Sequence, residues 1–196
     1  MNNKGFSLVE LLAVIVIIAL VSTIAVVSMG GIRNNIDEKI IESNLDLIDS
    51  AAKSYGEDHM SEIMTGVSHK TVAELKGLTE LDTDNAYNSI QLYIYLKNRR
   101  ASVCIANKEA LSELTSNIDH FSKYFCNFGD VNDDGELTCE DLQLLFDAVS
   151  SLHPENININ RGNAELNVDG VVNNNDVVAL NRKLQEDGKN CSYLSN

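Results

Sequence analysis

Two stretches towards the C-terminal end carry oxygen-bearing side chains at a spacing suited to a metal ion. The first reads Asp130-Val-Asn132-Asp-Asp134-Gly135-Glu136-Leu137-Thr138-Cys139-Glu140-Asp141. The second reads Glu165-Leu-Asn167-Val-Asp169-Gly170-Val171-Val172-Asn173-Asn174-Asn175-Asp176. They lie 35 residues apart, and each runs into an apolar stretch, Leu142-Gln-Leu-Leu-Phe and Val177-Val-Ala-Leu. In a loop of this kind, side-chain oxygens at positions 1, 3 and 5 converge as the chain turns. Glycine at position 6 takes a positive φ that other residues resist. Position 7 offers a backbone carbonyl, here of Glu136 or Val171, and position 9, here Thr138 or Asn173, acts through a water. The acid at position 12, Asp141 or Asp176, starts the next helix and closes the cage. Oxygen-only donor sets suit a hard cation, and the reading is two Ca2+ sites. The second loop opens on Glu165 where the first has Asp130. Leu137 and Val172, at position 8, are expected to face inward and pair the loops.

A second kind of chemistry sits at the other end. From Phe6 to Met29 the only polar side chains are Ser7, Glu10, Ser22, Thr23 and Ser28. About 20 apolar residues span a bilayer as a helix, so this stretch predicts a single pass. Lys4 on the short side favours a cytoplasmic N-terminus and sends residues 30–196 outward. The stretch is longer than a secretory signal core and lacks a small-x-small cleavage site. A carboxylate within a membrane segment is costly and marks a functional position. Glu10 therefore needs a positive partner.

The charge distribution agrees with two different ends. The chain carries a net charge of −14. Residues 129–196 hold 13 acids and 4 bases, a net −9, so this third is the most acidic. Such a surface repels nucleic acid phosphates, and no nucleic acid partner is predicted. Asn98-Arg99-Arg100 reads as a solvated turn rather than a DNA contact. The cysteines, Cys104, Cys126, Cys139 and Cys191, form no CxxC pair and do not suggest zinc. In a chain that leaves the cytoplasm they suit two disulfides, with three pairings open. The histidines are scattered, and no phosphate loop, nucleophile elbow or paired His and Cys stands out. The chain reads as a non-enzyme.

The elements that position these groups follow from periodicity. After Gly30-Gly31, Ile32, Ile36, Ile40, Leu47, Ile48, Ala51, Ala52 and Tyr55 recur at helical steps, with acids opposite. The helix is expected to run from Phe6 to near Gly56, roughly 75 Å at 1.5 Å per residue. Thr71 to Leu78 reads as a short helix with a Thr71/Glu74 capping box. Residues 89–96 and 101–106 read as two strands of a hairpin around Asn98-Arg99-Arg100. Residues 108–124 allow one or two short helices. The fold class is α+β: a long, partly transmembrane helix, a small β-hairpin head, and an all-α C-terminal module.

Two segments resemble known families. Lys4-Gly5-Phe6-Ser7-Leu8-Val9-Glu10-Leu11-Leu12 resembles the signal of type IV prepilins and pseudopilins. The resemblance implies that prepilin peptidase cuts after Gly5 and methylates Phe6, and that Glu10 pairs with the N-terminal amine of a neighbouring pilin subunit. Many such pilins carry a proline where this chain has Val26-Val27; its sole proline is Pro154. Major pilin, minor pilin and pseudopilin stay open. The paired loops resemble type I dockerins, over residues 129–185. An EF-hand needs a helix entering each loop, and His153-Pro-Glu-Asn-Ile-Asn-Ile-Asn-Arg-Gly-Asn163 does not suit one. Dockerins plug into cohesin domains through residues just before position 12, which here are Cys139, Glu140, Asn174 and Asn175. These are not the Ser-Thr pair of many dockerins, and the two copies differ. Dockerin repeats pack with their chain ends together, which implies a Cys139–Cys191 bridge, leaving Cys104–Cys126 to the head.

The expected organisation is a leader at 1–5, a transmembrane segment at 6–29, a helix continuation and head at 30–125, and an EF-hand-type, dockerin-like module at 126–196. The function these resemblances imply is a minor pilin or pseudopilin, anchored in the cytoplasmic membrane and then placed on a pilus or cell surface, displaying a calcium-dependent adaptor with a cohesin as candidate partner. Two alternatives stay open. One is a calcium-stabilised pseudopilin of a type II secretion or DNA-uptake machine without a cohesin. The other is a membrane-tethered dockerin that does not polymerise.

Overall fold

The computed structural model describes residues 37–191. The expected transmembrane segment at 6–29, with Gly5, Phe6 and Glu10, lies outside the described residues. Among those described, no helix is long and apolar enough to cross a membrane.

Residues 37–58 are helical and are named α1. From Asn44 onward the chain forms one compact unit. In that part of α1 the buried side chains are Leu45, Ile48, Ala52 and Tyr55, at steps of three and four. Leu47, expected on the buried stripe, is 52% exposed, and Leu45 takes its place. One residue is about 100° of helix turn, so the stripe centred on 45, 48, 52 and 55 leaves 47 outside.

Helix α2 (Met60–Ile63) leads into strand β1 (Val67–Thr71), and Thr71 then caps α3 (Val72–Leu78). The Thr71 hydroxyl accepts from the Glu74 amide, and the Glu74 carboxylate accepts from the Thr71 amide, the reciprocal box read from the sequence. Strands β2 (Gln91–Lys97) and β3 (Arg100–Ile105) follow. Asn98 and Arg99, with φ of 52° and 62°, make the two-residue turn between them. Positive φ at both centres is the geometry whose twist matches antiparallel strands.

The head is therefore more than a hairpin: β1 adds an antiparallel strand on the other side of β2, in the order β1-β2-β3. Of Val67-Ser-His-Lys-Thr71 only Val67 is buried, so no alternating pattern announces the strand. Helix α4 (Lys108–Ser112) and a 3-10 segment (Ile118–Tyr124) complete the head.

Both faces of β2 are covered. A methyl group on Gly56 of α1 would sit 2.8 Å from Ile94 and from Ala101, so α1 lies against the Ile94 face. A methyl group on Gly162 would sit 2.4 Å from Tyr95 and 3.0 Å from the Cys104 sulfur, so the C-terminal part lies against the Tyr95 face. Tyr93, Tyr95, Cys104, Cys126 and Val67 form one buried cluster there, with Val172 and Phe128 packed on it.

The C-terminal part contains α5 (Cys139–Ser150), α6 (Arg161–Ala164) and α7 (Asn174–Glu186). Its core joins Val131, Leu142, Leu145, Ala148, Ile159, Ala164, Val177, Leu180 and Leu184. Leu137 and Val172 both pack against this core. The connector before the second loop holds more helix than its composition suggests. A 3-10 turn at Pro154–Asn156 and the single turn of α6 occupy it, and the Asn160 side chain caps α6 by accepting from the Asn163 amide. All four α6 residues are buried, so packing rather than propensity forms the turn. Disulfides join Cys104 to Cys126 and Cys139 to Cys191, with Cα separations of 5.0 and 5.5 Å.

Candidate calcium-binding loops

Each loop is held open by its own backbone amides. In the first, the Val131 and Asn132 amides donate to one oxygen of Asp141, at 2.8 and 3.1 Å. The other oxygen accepts from the Thr138 amide at 2.8 Å, so Asp141 clamps the start of the loop to the cap of α5. Asp130 accepts from the amides of Asp134 and Gly135, both at 3.0 Å, and from the Asn127 side chain at 2.9 Å. Asn132 accepts from the Asp134 amide, and Asp134 from the Glu136 amide at 2.8 Å. Gly135 sits at φ +90°, where a side chain would be strained.

The second loop repeats this frame except at position 1, where only one oxygen of Glu165 accepts an amide. Asp176 accepts from the Leu166 and Asn167 amides on one oxygen and from the Asn173 amide on the other. Glu165 accepts from the Asp169 amide at 2.9 Å, and Asp169 from the Val171 amide at 2.9 Å. Asp133 and Val168, at position 4, have φ of 66° and 63°, and Gly170 has +83°. The side chains of Thr138 and Asn173 cap α5 and α7, so position 9 serves the helix as well as the loop.

These bonds set the electrostatics. Hydrogen bonds from the Val171 amide first, and from Asn167 and Asn173, hold the Asp169 carboxyl below the usual range. Burial first, and then the Asp176 charge, push Glu165 above it. Glu165 is fully buried, and its Oε2 has no hydrogen-bond partner. A buried carboxylate oxygen without a partner is costly, and a bound cation removes that cost.

Among the described residues, no three His, Cys, Asp or Glu side chains close into a ready-made metal cluster. The fit to calcium comes instead from an all-oxygen donor set that mixes carboxylates with amide, hydroxyl and carbonyl oxygens, and from the Glu165 oxygen. Asp130, Asn132, Asp134, Glu136, Thr138 and Asp141 would hold one ion, and Glu165, Asn167, Asp169, Val171, Asn173 and Asp176 the other.

Glu140, Asn174 and Asn175 are exposed at the first turns of α5 and α7, and Cys139 is half-buried in its disulfide. Three groups of residues around the loops have no local signal in the sequence. Lys97 of β2 pairs with Asp133, and Asn160 donates to the same carboxylate at 3.0 Å. The Asn163 side chain donates to the Asp130 carbonyl at 2.8 Å. Gly66 and Val67 of the head meet Val171 and Gly170.

The family model of the prokaryotic N-terminal methylation motif matches residues 1–26. That of the dockerin type I domain matches residues 128–185, the segment that contains both loops. No curated protein and no solved structure matches the chain. One polypeptide thus carries a segment similar to the prokaryotic N-terminal methylation motif and, about a hundred residues on, a segment similar to type I dockerin domains.

Proposed function

We propose that the chain is a type IV pilin-like structural subunit, a minor pilin or pseudopilin, that carries a calcium-loaded dockerin to the cell surface and binds a protein partner through it. The observation that carries this reading is the presence of both motifs on one chain, 1–26 and 128–185. Prepilin peptidase processes Gly5–Phe6, Glu10 joins the subunit to its pilin neighbours, and each loop takes one Ca2+. The ion supplies the positive charge that lets the loop carboxylates stay close. Glu140, Asn174 and Asn175, exposed at the helix starts, face the partner, and the partner class is a cohesin. The reading assigns no catalysis.

A second reading is favoured by one feature, the burial of the Tyr93 and Tyr95 face of β2 beneath the C-terminal part. There the calcium module is a stabilising layer of a pseudopilin head and has no cohesin partner. Binding of the full-length chain, in detergent, to a purified type I cohesin separates the two. Capture in calcium that is lost in chelator supports the adaptor. Calcium uptake without capture supports the stabilising layer.

A further inference from the structure

The second loop does not end at its own module. The Val67 amide of β1 donates to the Gly170 carbonyl at 3.0 Å, and Gly66 and Val171 form an antiparallel bridge. Position 7, whose carbonyl is a proposed ion ligand, is therefore strand-paired to the head. The approach is tight: a methyl group on Gly66 would lie 2.6 Å from the Gly170 oxygen. Val172, the next residue, packs on the head cluster of Val67, Tyr93 and Tyr95. Position 1 of the same loop is Glu165, fully buried with one oxygen unpartnered. Tyr93 feels it too: burial first, and then the charges of Glu165 and Asp176, push its phenol up to about 12. The first loop meets the head differently. Its link is the Lys97 side chain on Asp133, at position 4, which offers no ligand.

We propose that the second calcium site is shared between head and module, with Gly66 and Val67 as positioning residues that hold the Gly170–Val171 backbone for the ion. This rests on the calcium reading above. It makes the head, about a hundred residues upstream, a determinant of affinity at one site and not the other. Linkage requires the converse: calcium in the second loop steadies the start of β1.

The test is calorimetric calcium titration of the full-length chain in detergent. The parent, Gly66→Ala and Gly77→Ala are compared, with Asp169→Ala identifying the second-loop event. Gly77 has nothing within 4 Å of a built methyl and serves as the head control. Two events are expected in the parent and in Gly77→Ala. In Gly66→Ala the second-loop event should weaken by roughly 10–100-fold, the range for groups that orient ligands, with the first unchanged. Two unchanged events in Gly66→Ala overturn the shared site alone. No uptake by the parent defeats the calcium reading itself and the shared site with it. Amide exchange of Val67 in the parent keeps the question open to refutation if Gly66→Ala misfolds. Its protection should rise on adding calcium, persist in Asp134→Ala and vanish in Asp169→Ala. Exchange indifferent to calcium would refute the sharing.

Discussion

The two loops share one hydrogen-bond frame and differ in what surrounds it. In the first, both oxygens of Asp130 accept amide hydrogens, and the loop's free edge carries the exposed Asp134 and Glu136. In the second, the longer Glu165 has one oxygen satisfied and the other buried without a partner. The same spacing of residue types thus builds two loops with different needs. The first is largely self-satisfied, whereas the second holds a carboxylate that wants a cation and leans on the head for its backbone. The repeat explains the frame, and tertiary contact explains the difference.

The comparison breaks most directly at position 12. Asp141 and Asp176 are fully buried, and each accepts three backbone amides. Alanine at either leaves those donors without a partner, at about 1–3 kcal/mol for each buried group. Chemical denaturation in calcium should show a loss of about 3 kcal/mol for both variants, five of the six donors being only part-buried. Only Asp176→Ala should also loosen β1, as read by faster Val67 amide exchange. Equal loosening by Asp141→Ala would erase the asymmetry between the loops.

Next in size is the buried carboxylate. Burial and Asp176 hold Glu165 above the ordinary glutamate range, with Asp169 adding to the push. Its folded value lies above its unfolded one. In chelator its contribution to stability is therefore complete below the unfolded value and is lost as pH rises through the folded one. The charges of Asp176 and Asp169 oppose its unprotonated form, and the Asp169 amide offsets them only in part. Glu165→Gln should raise the melting temperature in chelator at neutral pH and flatten that decline. In calcium the order should reverse, because the variant has lost a charged ligand. A variant less stable than the parent in chelator would show that Glu165 is not strained.

How far the sequence alone leads differs along the chain. The turn of each loop was legible because its signal is local: an acid, Asn, Asp and Gly at fixed steps state a conformation. The capping box of Thr71 and Glu74 was legible for the same reason. Strand β1 was not. His69 and Lys70 are polar and only half-buried, and what holds the strand is pairing with β2 and the stacking of His69 on Tyr93, 4.2 Å between ring centres. Nor was the covering of Tyr93 and Tyr95. A strand with alternate residues buried on both faces, Leu92 and Ile94 towards α1 and Tyr93 and Tyr95 away, reads like one half-buried hairpin strand until a second layer is known. The disulfide pairing came from the dockerin resemblance, since spacing leaves all three pairings open.

Those disulfides rank third. Cys139–Cys191 spans 52 residues and ties the start of α5, next to the first loop, to the chain beyond α7. Removing it as Cys139→Ser with Cys191→Ser should cost roughly 2–4 kcal/mol, chiefly by freeing the unfolded chain. The loss should be the same in calcium and in chelator, since the bridge supplies no ligand. A loss confined to chelator would mean that the bridge substitutes for the ion in holding the loops.

The smallest effect belongs to the first loop's tie to the head. Lys97 and Asp133 are paired with side chains 30% and 41% exposed, so water and salt screen them, and such pairs contribute about 0–1 kcal/mol. Burial raises the Asp133 carboxyl, but the bonds from Lys97 and Asn160 outweigh it and leave it below the usual range. The stabilisation is therefore present above the unfolded value and is lost as pH falls through the folded one. Lys97→Met keeps the aliphatic stem and removes the charge. It should cost under about 1 kcal/mol at low salt, less at high salt, and leave both calcium affinities within about twofold. Set beside the loss expected for Gly66→Ala, this measures how unequal the two attachments are. A first-loop affinity that fell tenfold in Lys97→Met would mean that both sites lean on the head, through a side chain in one case and through the backbone in the other.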